Sequence, residues 1–286
     1  MKEITLEELL EAGCHFGHQV TRQNPKARDF VFESRDNIHI IDLGMTKEGL
    51  DEAAAFVLSV AKNNGTMVVV GSKRQAAPII LDEAKNAQEA IKAKGAVANL
   101  YTVTSRWIGG TLTNLPEVIK NFKKLRDLES KLKDDFEKAK YTKKEVGMWE
   151  KSRQKLEVFY GGIADMRELP SVLFVVDTHM ESLAVAEANK MGIPVVGIVD
   201  TNADPSVVDY AIPANDDAVG SLELLIGHIM DAWIEGKTGA EPKREKKEVK
   251  KEEVKEEEKV EKTEAKEEKP AKKASSARKT KKEAVK

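Results

Sequence analysis

Apolar positions along this 286-residue chain follow two rhythms, and each predicts a different kind of element. Short unbroken apolar runs occur at Thr66–Gly71, Ala96–Tyr101, Ser171–Asp177, Pro194–Asp200 and Tyr210–Pro213. Runs that do not alternate with polar residues are the pattern of strands covered on both faces, as in a parallel sheet. Ile38–Ile41 is a further short apolar run. Between the runs the period changes to three or four, which predicts helices over Thr46–Asn64, Gln75–Lys94, Met180–Met191 and Asp216–Glu235. Thr5-Leu6-Glu7-Glu8 has the Thr-x-x-Glu form of a capping box, and Gly13 closes that first short helix. Strands alternating with helices predict an α/β fold: a mostly parallel, doubly wound sheet of flavodoxin or Rossmann kind, flanked by helices.

One segment breaks the alternation. Between Thr113 and Tyr160 apolar residues recur at Leu115, Ile119, Phe122, Leu125, Leu128, Leu132 and Phe136. After a polar joint, Thr142-Lys143-Lys144-Glu145 is a second capping box, followed by Val146, Trp149, Leu156 and Phe159. Two amphipathic helices joined by a short turn pack antiparallel, so residues 113–160 are expected to form an inserted helical hairpin, a short coiled coil.

Charge divides the chain further. Residues 241–286 hold 18 Lys/Arg and 13 Glu, with no aromatic, Leu or Ile. Such a segment cannot bury enough apolar surface to offset the entropy of ordering, and it is expected to be a disordered tail beyond a body of residues 1–240. The whole chain carries −2, so removal of the tail's excess of five leaves the body at −7. An acidic body is not the usual footprint of a protein that coats nucleic acid. The hairpin differs from the body around it, with 13 Lys/Arg against 9 acidic residues between Glu117 and Phe159. That excess fits either a nucleic-acid contact or the solvated face of a structural arm. A single cysteine, Cys14, excludes an internal disulfide and fits a reducing compartment. The first residues lack a signal-peptide core, and no run is long enough to span a bilayer, which points to a cytoplasmic protein.

A doubly wound pattern makes nucleotide chemistry the first suspect, yet neither Gly-x-Gly-x-x-Gly nor Gly-x-x-x-x-Gly-Lys-Ser/Thr is present. The turn after the first long strand, Gly71-Ser72-Lys73-Arg74, has one glycine and two cations at a helix start, enough for one phosphate or an RNA backbone. His15 and His18 follow Cys14, while Asp177, Asp200 and Asp204 fall at strand ends. Open α/β sheets place ligands there. His15, His18, Asp200 and Asp204 could meet around one divalent ion, zinc or magnesium, although Asp200-Thr201-Asn202 and Asp204-Pro205 are also turn formers. The loop Ser105-Arg106-Trp107-Ile108-Gly109-Gly110-Thr111-Leu112-Thr113-Asn114 joins a strand end to the hairpin. Arg106 there can bridge phosphate oxygens, Trp107 is suited to the core, and Asn114 is placed to cap the helix.

Five segments together resemble the bacterial ribosomal protein S-two family of the small subunit. They are Ala12–Leu43, Val70–Ala76, Arg106–Asn114, Gly161–Pro170 and Gly192–Ala218. The resemblance runs in order from residue 3 to 236 and leaves out the tail. It implies an α/β domain with a protruding hairpin, placed between head and body of the small subunit against 16S ribosomal RNA. It also implies docking of ribosomal protein S-one, which captures messenger RNA. It implies no catalysis and is compatible with one divalent ion beside the histidine loop. The RNA contacts expected on this reading are Arg22, Lys26 and Arg28, then Lys73 and Arg74, then Arg106, with Lys120, Lys123, Lys124, Lys143 and Lys144 on the hairpin. Phosphate contacts of this kind position a protein without reading sequence. A nucleotide- or metal-dependent enzyme, and a free adaptor that recruits partners through its hairpin and tail, are the rival readings.

Overall fold

The computed structural model describes residues 3–239, so the expected tail at 241–286 lies outside the described residues. Five parallel strands form the main sheet: β4 (Met67–Val70), β5 (Leu100–Val103), β6 (Val172–Val176), β7 (Val195–Val199) and β8 (Tyr210–Pro213). Their spatial order is β5-β4-β6-β7-β8, the doubly wound order in which the chain reverses direction across the sheet between β4 and β6. The unbroken apolar runs have a direct cause in this arrangement. Successive side chains point to opposite faces. Met67, Val69, Phe174, Val196 and Ile198 therefore enter one core, and Val68, Val70, Leu173, Val175 and Val195 the other.

The first core is covered by α2 (Leu43–Lys62), α3 (Ala76–Ala93) and α8 (Val219–Thr238), with α1 (Leu6–Glu11) beside them. Helix α8 is buried along nearly its whole length, and its Trp233 donates the indole N–H to the Ala98 carbonyl at 2.9 Å. The second core is covered by α7 (Ser182–Met191) and by the root of the hairpin. That hairpin, α4 (Leu115–Lys133) and α6 (Lys143–Tyr160), is inserted in the crossover from β5 to β6. Leu115, Val118, Phe122 and Tyr160 hold it to the sheet. Gly162, just beyond α6, approaches the edge strand so closely that a methyl group there would overlap the Thr102 carbonyl.

Several expectations need correction. The β5 strand begins four residues later than expected, because Asn99 takes a left-handed conformation (φ 43°) and Ala98 is committed to Trp233. The α2 helix starts at Leu43 because Asp42, not a residue near Thr46, caps it by accepting from Gly44 N–H at 2.8 Å. Asn114 does not cap α4 through its side chain. Its backbone N–H donates to the Gly110 carbonyl at 2.8 Å, which holds it inside the preceding turn. The hairpin tip carries a one-turn helix, α5 (Asp135–Ala139), where a plain turn was expected.

A second sheet was not anticipated. Strands β1 (Phe16–Gln19), β2 (Val31–Arg35) and β3 (Ile38–Ile41) pair antiparallel in the order β1-β3-β2. Asp36 and Asn37, at φ 50° and 64°, make the two-residue turn between β2 and β3. Positive φ at both central residues is what such hairpins require.

Candidate functional site

Every loop that carries candidate chemistry, the hairpin lysines apart, lies at one edge of the parallel sheet, beyond the carboxyl ends of its strands. Ser72, Lys73 and Arg74 follow β4, Arg106 and Trp107 follow β5, Asp177 and Glu181 follow β6, Asp200 and Asp204 follow β7, and Asp216 and Asp217 follow β8. The β1 end of the small sheet is tied to the same edge. His18 N–H donates to Thr201 Oγ1 at 2.9 Å and Asn24 N–H to the Thr201 carbonyl at 2.8 Å. The fold thus assembles its ligand edge where doubly wound sheets keep theirs.

Two loops there have the shape of anion sites, and a glutamate from the α7 segment occupies each. Glu181 accepts from Ser72 N–H at 3.0 Å and from the Ser72 hydroxyl. This fills the position beyond β4 where a phosphate would sit. Glu187 fills the second. Its Oε1 accepts from Gly110 N–H at 2.7 Å and from the Trp107 indole N–H at 3.3 Å. Its Oε2 accepts from the N–H groups of Leu112 at 3.0 Å and Thr113 at 3.2 Å, and from the Thr113 hydroxyl at 3.3 Å. Gly110, at φ 93°, turns the backbone so that these donors converge. Burial opposes ionisation of Glu187, but the amides of Gly110, Leu112 and Thr113, with Trp107, outweigh it and hold the carboxyl below its usual range. The loop binds an anion, and the anion is its own.

Lys73 has a similar fate. Its ammonium lies 2.8 Å from Asp216, 2.6 Å from Asp217 and 3.3 Å from Asp177. Burial works against its charge, yet these carboxylates raise its affinity for the proton above that of a free lysine. Asp216 is buried and crowded by Asp177 and Asp200, which together push it up to about 7 against the pull of Lys73. Lys73 therefore serves as an internal counter-ion, while its neighbour Arg74 is exposed.

The structure brings His18 and Asp200 together, with Nδ1 to Oδ2 at 3.1 Å, and that hydrogen bond raises the imidazole pKa. Asp216 joins them: one ligand atom from each of His18, Asp200 and Asp216 lies within 4.8 Å of the others. The remaining two expected metal ligands are elsewhere. His15 leans on the Phe16 ring, and Asp204 holds Lys26 at 2.6 Å and caps the turn at Ser206. Lys26 is thereby half-committed to the body. Arg22, Arg28 and Arg106 are exposed, as are Lys123, Lys124, Lys143 and Lys144 on the hairpin, whereas Lys120 pairs with Glu117 at 2.6 Å. Glu181, Glu187, Asp216 and Asp217 were missed as candidates. For Glu187 a signal existed: it lies between Ala184, Val185 and Ala188 on the buried stripe of α7, where an uncompensated carboxylate is too costly to persist.

These features define a binding scaffold: a doubly wound sheet with two loops whose donors are taken by its own glutamates, carrying a basic helical arm. A family profile described as Ribosomal protein S2 matches residues 9–236, most of the chain, and the chain belongs to that family. It is a non-enzymatic, structural protein of the small ribosomal subunit, with ribosomal RNA and neighbouring ribosomal proteins as its partners. Among the described residues no helix is long and apolar enough to cross a membrane.

Proposed function

We propose that this chain grips 16S ribosomal RNA between the head and body of the small subunit and helps dock ribosomal protein S-one there. The observation that carries the reading is the separation of charge. The body is acidic overall, while Arg22, Arg28, Arg74 and Arg106 are exposed on its loops and the hairpin presents a positive excess. Cations on a few loops and one arm suit a peripheral protein that touches phosphates locally and turns acidic surface towards protein neighbours. Sedimentation of a cell extract through sucrose at low and high salt tests it. The chain is expected in the small-subunit peak at low salt and is released as salt rises. Exclusion from that peak at low salt defeats the proposal, and S-one retained on subunits lacking this chain defeats its second half.

A divalent ion at His18, Asp200 and Asp216 is a subsidiary proposal. The donor set fits, one imidazole and two carboxylates, and the second Asp216 oxygen is buried without a hydrogen-bond partner. The ion would draw the β1 end and the ends of β7 and β8 together. Equilibrium dialysis against zinc, then magnesium, is expected to show one site that His18→Ala removes; no binding by the native chain ends this proposal.

A further inference from the structure

The chain has few aromatic residues, fifteen in all, and most side chains of this kind belong in a core. Three of them lie instead within the fourteen residues that turn the hairpin: Phe136, Tyr141 and Trp149. Tyr141 and Trp149 satisfy each other, edge to face at 4.5 Å, and Lys131 lies 5.6 Å from the Trp149 ring centre. Phe136 has no such partner and is 84 % exposed. Its position is not casual. Asp134 accepts from the Phe136 N–H at 2.9 Å and from Glu137 N–H, which builds the single turn α5 and holds the ring out from the end of the arm.

The charges around the ring identify its partner. Between Lys131 and Lys144 six lysines face three acidic residues. Lys138 and Lys140 are paired with Asp135 and Glu137, at 2.9 and 2.6 Å. Lys133, Lys143 and Lys144 make no ion pair among the described residues. A rim of ammonium groups calls for an anionic partner, and the densest anion on a small ribosomal subunit is the phosphate backbone of its RNA. An exposed apolar ring on the same turn of chain as exposed ammonium groups without an ion pair among the described residues matches a nucleobase attached to its phosphates. Bases inside an A-form helix have no free face, so the base must be unpaired, in a loop or bulge.

We propose that the hairpin tip is a stacking site for one unpaired RNA base, with Phe136 as the platform and Lys133, Lys143 and Lys144 on the flanking phosphates. This rests on the RNA-binding reading above and adds a contact that the cations alone do not provide. The test is binding of the full chain to small subunits stripped of it, over a series of potassium chloride concentrations, with Phe136→Ala, Phe136→Leu, Phe136→Trp and the double variant Lys143→Ala/Lys144→Ala. Since Phe136 is exposed, all these chains are expected to melt like the native one.

Phe136→Ala is expected to weaken binding about 5- to 100-fold with the salt dependence unchanged, because no charge is removed. Phe136→Leu weakens it nearly as much, Phe136→Trp retains it, and the double lysine variant flattens the salt dependence. Native affinity in Phe136→Ala overturns the proposal. So does native affinity in Phe136→Leu alongside a weak Phe136→Ala, since an aliphatic side chain serves a protein pocket but not a base stack. If the native chain itself does not bind, the failure lies with the RNA-binding reading and the proposal falls with it.

Discussion

Replacing Glu187 with alanine probes the claim that the corner loop is closed by an internal anion. The substitution removes the acceptor for five donors. Two of them, the Leu112 N–H and the Trp107 indole, belong to residues only 1 % and 5 % exposed, and no water replaces the carboxylate easily there. A buried donor left unpaired costs about 1–3 kcal/mol. The amides of Gly110 and Thr113 and the Thr113 hydroxyl lie nearer solvent and rehydrate with little penalty. The two buried groups therefore set the scale, about 3 kcal/mol once the relief of Glu187's own desolvation is subtracted. For a domain of this size that corresponds to a fall in melting temperature of about 6–12 °C. Urea unfolding followed by tryptophan fluorescence measures it, and amide hydrogen exchange should show residues 110–113 losing protection first. A loss below about 1 kcal/mol, or exchange unchanged in the loop, would mean that the Glu187 carboxylate does not close the corner.

Other consequences can be measured on the same protein. Because the Glu187 carboxyl is held below its ordinary value of 4.5, its contribution is complete above that pH and is lost as pH falls through the lower native value. The melting temperature of the native chain should therefore stay above that of Glu187→Gln by a constant gap near neutral pH and converge on it as pH falls below 4.5. Lys73→Ala leaves Asp177 and Asp216 buried without their counter-ion and should cost about 3 kcal/mol in urea unfolding. Arg74→Ala and Arg106→Ala should leave stability within about 0.5 kcal/mol and reduce subunit binding at low salt. Removal of residues 241–286, whose composition offers nothing to a core, should change stability by less than about 0.5 kcal/mol.

The architecture was legible wherever a residue's neighbours in sequence are also its neighbours in space. Apolar runs such as Met67–Val70 disclosed buried strands, and the three-and-four spacing from Leu115 to Leu128 disclosed the arm. The small sheet was not legible, since β1 and β2 are largely exposed and lack an apolar rhythm; the Asp36-Asn37 pair was its one local sign. The site was legible in location and not in occupancy. Strand ends placed Lys73, Asp177 and Asp200 at the correct edge, but which charges meet depends on long-range pairing. Lys73 meets Asp216 across 143 residues, and Glu187 meets Leu112 across 75. Residue type predicted a free cation and a phosphate loop, and tertiary pairing spent both on neutralising buried carboxylates.

The glutamates of the α7 segment have a consequence for how such a protein responds to its surroundings. A ligand tethered within the same chain is present at an effective concentration that free metabolites do not reach, and it is never depleted. A cleft on this kind of sheet ordinarily works as a gauge, filling and emptying with the supply of a nucleotide. Here Glu181 and Glu187 fix the reading permanently at full. The arm that begins at Leu115 thus leaves a corner held by a carboxylate of the same chain. A part that must fit one place in a large assembly gains constancy from that silence.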